Sequence, residues 1–465
     1  MKIFSIKTIG LLVSGLTLTM AAVSQTAFKL PAYEKYQLPN GLTVYLMEQH
    51  EVPLISFSAI LPAGAINDAD KHGLASLTAA GLQYGTRSYT KAQIEEQLDY
   101  IGADLNTRAT KEFTAISAKF ATKDIDKALP IIGEVMSAPT FPATEFEKEK
   151  TRTLALLEQD KQSPRRVIGS YWDHFIYGDQ AYGNSISGSP ASVGKLTAAD
   201  LKAFYQANYA PEGSAIAIAG DFDTKLMKLK LGRMFSTWKK SGIAQKASAP
   251  VAVAAPTEAR VLLVNKEDAR ETTFYIGGLG IQRNNPDFVA IDVVNTLFGG
   301  RFTSMLNDEL RVNSGLTYGA SSRFAPLKNS GTFYITTFTA NKTTAPTLEK
   351  AVEVLNKLHK DGIDEQSLAS AKNYVKGQFP PGYETSGQLA GLLTQMFWYG
   401  FNESFINNFQ ANVDKLDLAG AKAIIAKYYP KDKLQFVMIG KAAEVKPIAQ
   451  KYGKVTEKQI KEDGF

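Results

Sequence analysis

The sequence predicts an α+β protein of two homologous domains, each an antiparallel sheet with helices packed on one face. Three observations predict it. The chain has 465 residues, too many for one compact core, so two or more domains are expected. Short strand-like stretches are followed by longer helical ones, the order expected when helices cover one side of a sheet. The chain also repeats itself. "KLTAADLKAFYQANYAPEGSAIAIAG" (195–220) aligns without a gap with "KLDLAGAKAIIAKYYPKDKLQFVMIG" (415–440), 220 positions on. Lys195/Lys415, Leu196/Leu416, Tyr209/Tyr429 and Gly220/Gly440 coincide. In each copy a helix runs to a Tyr, a Pro-containing turn and an apolar strand closed by Gly.

The elements follow in order. Residues 1–24 carry Lys2 and Lys7, apolar and small residues from Thr8 to Val23, and Ala22-Val23-Ser24 before Gln25. These are the three regions of a cleavable signal peptide. The apolar run is shorter than the ~20 residues a bilayer span needs, so no stable membrane anchor is expected. Export without a single cysteine fits the periplasm of a Gram-negative bacterium, where a large core makes disulfides unnecessary.

A hairpin is expected over 42–61, then helices over about 72–83 and 91–101. Strands follow over 104–109 and 113–121, the second marked as half-buried by the alternation in "EFTAISAKF". Helices at about 125–137 and 144–161 come next, and Pro164 forces a break after them. "SGIAQKASAPVAVAAPTEA" (241–259) has no period of its own and reads as a linker. It separates an N-terminal domain, 25–240, from a C-terminal domain, 260–465. The two open alike. "LTVYLMEQHEVPLISFSAILPAG" (42–64) and "VLLVNKEDARETTFYIGGLG" (261–280) both read as strand, charged turn, strand, glycine.

Composition narrows the function. Hydrophobic content of 44% and charged content of 21% describe an ordinary folded protein. A net charge of +6 comes without any Lys/Arg block, so nucleic acid is not an expected partner. The four histidines are His50, His72, His174 and His359. No two stand at a metal-ligand spacing and no cysteine completes a zinc set. His72, just before the expected helix, reads as a surface or capping residue. No G-x-S-x-G elbow or Walker loop occurs, and "FGGRF" (298–302) is too poor in glycine to cradle a phosphate. The residues by themselves show no catalytic constellation.

A wider pattern does carry meaning. "LPNGLTVYLMEQHEVPLISFSAILPAGAINDADKHGLASLTAAGLQYGT" (38–86), together with the repeat, resembles the pitrilysin/insulinase-type zinc peptidases, the inverzincins. The likeness runs over roughly 33–445 and is strongest to the processing-peptidase-like branch of two-domain chains. In active members the helix after "GLA" carries H-x-x-E-H, and a second Glu about 75 residues on completes the zinc site. Here those positions read Ser76, Leu77, Thr78, Ala79 and Ala80, and counting back from Pro164 puts the distal ligand at Leu156. Glu158 lies two residues further, about 200° around a helix. The resemblance therefore implies a chain that binds no zinc and is inactive alone.

The second half departs from simple decay. "LRVNSGLTYGASSRF" (310–324) matches the segment that carries an Arg and a Tyr seven residues apart in the family, here Arg311 and Tyr318. Taken singly, Arg311 is a solvated charge and Tyr318 a strand aromatic. Within the matched frame they are implied to face a partner's zinc site, the Arg on substrate carbonyls and the Tyr on the oxyanion. Gly315 supplies the turn between them. "QFPPGYETSGQLAGLLTQMFWYG" (378–400) reads as a buried helix after a Pro-Pro-Gly turn, with Phe397, Trp398 and Tyr399 on a chamber wall or partner face as the alternative.

The resemblance thus implies the non-catalytic subunit of a heterodimeric periplasmic zinc peptidase. Its partner would be a catalytic homologue with H-x-x-E-H and the zinc, and its substrate an unfolded peptide or small protein. The alternative is a peptide-binding or assembly protein with the peptidase fold and no part in proteolysis.

Overall fold

The computed structural model describes residues 28–241 and 253–465. The expected signal peptide and most of the expected linker lie outside the described residues. The first sheet is formed by β1 (Glu34–Gln37), β2 (Thr43–Glu48), β3 (Leu54–Leu61), β4 (Asp104–Ala109), β5 (Thr114–Ala121) and β6 (Ala215–Gly220), in the order β1-β2-β6-β3-β5-β4. The second is formed by β7 (Arg260–Asn265), β8 (Glu271–Leu279), β9 (Ala320–Pro326), β10 (Gly331–Ala340), β11 (Gln435–Gly440) and β12 (Lys454–Gln459), in the order β12-β7-β11-β8-β10-β9. The repeat is literal. The Ala198–Asn208 helix and β6 recur 220 positions on as the Leu418–Tyr428 helix and β11.

Two expectations need correction. The sheets are mixed, because β2 and β6 run parallel, as do β7 and β11. The expected hairpin over 42–61 is not a hairpin either, since β6 lies between β2 and β3 and pairs with both. All six residues of β6 are buried. Such a continuous apolar strand gains most from a central place with a neighbour on each side. Gly220 closes it at φ +133°, where a Cβ would stand 2.1 Å from the Leu54 carbonyl oxygen, so glycine is required. The outer edges differ. β1 pairs antiparallel with β2, whereas β12, from the far end of the chain, pairs parallel with β7.

Each sheet has its own helices on one face, as expected. The other face is covered by a helix from the other half. The Pro164–Tyr177 helix lies on β8 and β11, and the Ser386–Tyr399 helix on β3 and β6. Pro164, read as a break, opens the first of these, at a position where its missing N–H costs nothing. Trp172, 1% exposed, edges onto Tyr275 and Tyr334 at 5.9 and 6.0 Å, and those two rings stack at 4.2 Å. On the first sheet Ser56 and Ser58 hydrogen-bond Ser386 and Thr394 at 2.8 and 3.0 Å. The helix is buried as its apolar period requires. Trp398, 8% exposed, packs on Phe113 at 5.3 Å, so it faces the other half rather than an open partner surface.

The halves also meet turn to turn. Glu112, 2% exposed between β4 and β5, accepts hydrogen bonds from Tyr182 Oη at 2.5 Å and from Lys328 N at 2.8 Å. Lys328 lies in the β9–β10 turn of the second half. Burial raises the Glu112 carboxyl, and these donors only partly offset it.

Candidate functional site

The Leu74–Gly81 helix is held by its N-terminus. Asp68 accepts from Gly73 N at 2.9 Å and Ala75 N at 2.7 Å, ending two of the orphan donors. Burial nonetheless pushes its carboxyl up to about 7. Capping therefore falls to Asp68, and His72 contributes its backbone, whose carbonyl accepts from Ser192 Oγ at 2.8 Å. His50 sits between Glu48 and Asp221 at 3.0 and 2.7 Å. Gly73 has φ +94°, and a Cβ there would meet the Ser187 carbonyl oxygen at 2.9 Å.

Along this helix Leu77, Thr78 and Ala79 are buried, while Ser76 and Ala80, one turn apart, are half-buried on a shared side. The Thr78 hydroxyl has no hydrogen-bond partner among the described residues. The Ala143–Asp160 helix packs against this one and carries Leu156, 42% exposed. Glu158 is exposed, but lines a cavity with Lys161, Lys266 and Gln459, at the boundary with the second half. One hydroxyl, two methyls and an isobutyl group offer no imidazole or carboxylate, so this donor set does not fit zinc. Among the described residues no group of three or more His, Asp or Glu is placed to hold a metal ion.

The matching part of the second half is built differently. The Phe288–Asn295 helix runs into a π-helical segment, Thr296–Gly300, and a second one follows at Asp308–Asn313. The first glycine of "FGGRF", Gly299, serves packing. A Cβ on Gly299 would lie 2.4 Å from Ser322 N, so glycine lets this loop approach β9. Asn295 fastens the same contact, accepting from Ser322 Oγ at 2.7 Å. Leu310 is buried and anchors the second π-helical segment. Its carbonyl accepts from Leu316 N at 2.9 Å, and Gly315, at φ +60°, turns the chain toward β9.

This turn brings the expected pair together. The Arg311 guanidinium lies 4.6 Å from the Tyr318 ring centroid. Its other neighbour is Phe302, at 4.8 Å. Arg311 is half-buried between two rings, whereas Tyr318 is 76% and Phe302 63% exposed. Val312, next in the chain after Arg311, is also 63% exposed. Among the described residues neither the guanidinium nor the Tyr318 hydroxyl has a hydrogen-bond partner. A fork of cationic donors beside a free hydroxyl can bind carbonyl oxygens and stabilise developing negative charge. Phe302 escaped the sequence reading. A lone aromatic after a glycine pair has no period to betray it.

Comparison with known proteins identifies the family and the fold. Residues 44–189 match the family model described as Insulinase (Peptidase family M16), and residues 195–375 the one described as Peptidase M16 inactive domain. An uncharacterized zinc protease of Bacillus subtilis is 22% identical over 345 residues, 74% of this chain and 83% of the relative. A non-peptidase homologue of Helicobacter pylori is 23% identical over 373 residues, 78% of this chain and 84% of its own. The crystal structure of a peptidase M16 inactive domain from Pseudomonas fluorescens superposes with a TM-score of 0.82 at 27% identity, covering 88% of this chain and 98% of that one. The periplasmic protease PqqL of Escherichia coli shares the fold, with a TM-score of 0.75 at 15% identity over 95% of this chain and 49% of its own. With both halves matched in sequence and fold, and with no metal donor at the zinc positions of its helix, the chain belongs to the insulinase-type peptidases of family M16 and has the fold of its inactive members.

Proposed function

We propose that this chain is the non-catalytic subunit of a heterodimeric periplasmic zinc peptidase. It closes the chamber, binds the peptide substrate and lends Arg311 and Tyr318 to its partner's site. The observation that carries the reading is an asymmetry. Ser76, Ala79, Ala80 and Leu156 leave no metal donor, while Arg311 and Tyr318 are held side by side and turned outward. A pair of this kind has nothing to act on within its own chain.

In the proposed complex the metal belongs to the partner's H-x-x-E-H helix, where it supplies activation of water. Arg311 grips a carbonyl of the extended peptide, and stacking between Phe302 and Tyr318 fixes the plane of its fork. The Tyr318 hydroxyl donates to the oxygen that becomes negative as the carbonyl carbon turns tetrahedral. That charge exists only in the transition state, so the donor raises turnover more than affinity.

Purification of the native chain from periplasm tests this. The expected result is a co-purifying two-domain homologue with H-x-x-E-H, and peptide hydrolysis by the pair but not by this chain alone. Hydrolysis by this chain alone, or a pair no faster than the partner by itself, would overturn it. The second outcome would favour a peptide-binding or assembly protein, a reading supported by the non-peptidase homologue of Helicobacter pylori.

A further inference from the structure

A cavity of about 650 Å3 opens in the second half among the helices Phe288–Asn295, Glu365–Gln378 and Ser386–Tyr399. Its apolar part is aromatic. Phe379 and Phe409 stack at 3.7 Å, and Tyr383 and Leu392 continue the wall. Arg283 reaches this cavity through a cage of rings, with its guanidinium 4.2 Å from Phe288, 4.9 Å from Phe401 and 5.0 Å from Phe405. The rings meet its charge but not its directional N–H groups. Arg283 Nη1 is buried with no hydrogen-bond partner among the described residues. Asp292 lines the same cavity and feels the Arg283 charge, yet no ion pair joins them and its carboxylate accepts from no side chain among the described residues.

A guanidinium that lines a cavity and has no acceptor among the described residues is unfavourable unless water or a ligand meets it. The two charges also select among ligands. A dianion such as phosphate would meet Asp292, a simple cation would meet Arg283, and a neutral apolar molecule would leave both unpaired. A molecule with one carboxylate, one ammonium and an apolar body satisfies all three features.

We propose that this cavity binds an apolar zwitterion, either a free apolar amino acid or a short apolar peptide with both ends free. Its carboxylate rests on Arg283, its ammonium on Asp292, and its side chain among Phe379, Tyr383 and Phe409. Peptide hydrolysis releases molecules of this chemistry, but neither Arg311 nor Tyr318 lines the cavity and its occupancy does not depend on their role.

Isothermal titration of the full chain with L-phenylalanine, the dipeptide Leu-Phe and N-acetyl-L-phenylalanine amide tests it. Saturable binding is expected for at least one of the first two, and whichever binds tighter identifies the source. The blocked amide, which lacks both charges, should bind at least about 10-fold more weakly. Arg283→Gln and Asp292→Asn should each weaken the zwitterion by about 10-fold or more. Asp292 is solvent-exposed at the cavity, so its variant tests the proposal even where Arg283→Gln disturbs folding. Equal binding of the blocked amide, no effect of Asp292→Asn, or no saturation by either zwitterion up to about 10 mM would overturn it.

Discussion

After β3 and after β8, strands at matching places in the two sheets, the chain takes opposite courses. In the first half it forms a regular helix, Leu74–Gly81, tied by Asp68 and buried except at Ser76 and Ala80. In the second half the Phe288–Asn295 helix gives way to two π-helical segments, and Phe302, Val312 and Tyr318 stand in solvent. π-helical turns are rare and cluster at functional sites, because they re-aim side chains at some expense in hydrogen bonding. Neighbouring exposed apolar groups are likewise unfavourable unless something covers them. Where the metal donors are missing, the segment has become ordinary packing. Where backbone irregularity and exposed aromatics occur together, the proposed function gives the segment a use. Substitutions in the first segment should therefore alter stability, and those in the second should alter turnover.

The largest effect is expected at Ala79, which is fully buried. Ala79→Glu returns the family's base to its place but buries a carboxyl without a partner. It should lower the free energy of unfolding by about 3 kcal/mol and yield no peptidase activity. Denaturant titration with a peptide assay checks both; a stable, active variant would break the comparison.

Asp68 comes next. Its carboxyl is raised by burial from 3.8 to about 7. The folded state thus holds its proton more tightly than the unfolded state. This stabilising term is complete below about 4 and is lost as the pH rises through about 7. Asp68→Asn should flatten the stability profile between about pH 5 and 7, a change on the order of 2 kcal/mol. Thr78→Val removes a buried hydroxyl that has no partner among the described residues and should stabilise by about 1 kcal/mol. Phe302→Ala, in the second segment, should change stability by less than about 0.5 kcal/mol while lowering turnover in the complex. A Phe302→Ala variant that melts early but cleaves normally would reverse the assignment of the two segments.

Much of this was legible in the sequence for identifiable reasons. The repeat carried the two-half plan because its helix and closing strand recur at the same place in each sheet, although the two tyrosines find different partners. Tyr209 reaches Thr114 Oγ1 at 2.7 Å in the first core, and Tyr429 edges onto Phe298, Phe324 and Phe333 in the second. The family frame singled out Arg311 and Tyr318, and the structure sets the guanidinium 4.6 Å from the Tyr318 ring, while their role belongs to the proposed function. Strand pairing was not legible. Adjacent strands joined by a charged turn look like a hairpin, and nothing local says that β6, more than 150 residues later, will slide between them. The exchanged helices were hidden for a similar cause. Apolar periodicity says which side of Pro164–Tyr177 is buried, but not that the covering sheet belongs to the other half. The π-helical segments have no pattern of their own, and with them went Phe302.

Turnover of the reconstituted heterodimer with Tyr318→Phe in this chain tests the central claim most directly. Tyr318 is 76% exposed and its hydroxyl has no hydrogen-bond partner among the described residues, so the variant should fold and pair with its partner as the parent does. The account predicts a kcat lower by about 10²-fold with KM little changed, as for the loss of one transition-state donor. An unchanged kcat in a fully assembled complex would contradict it.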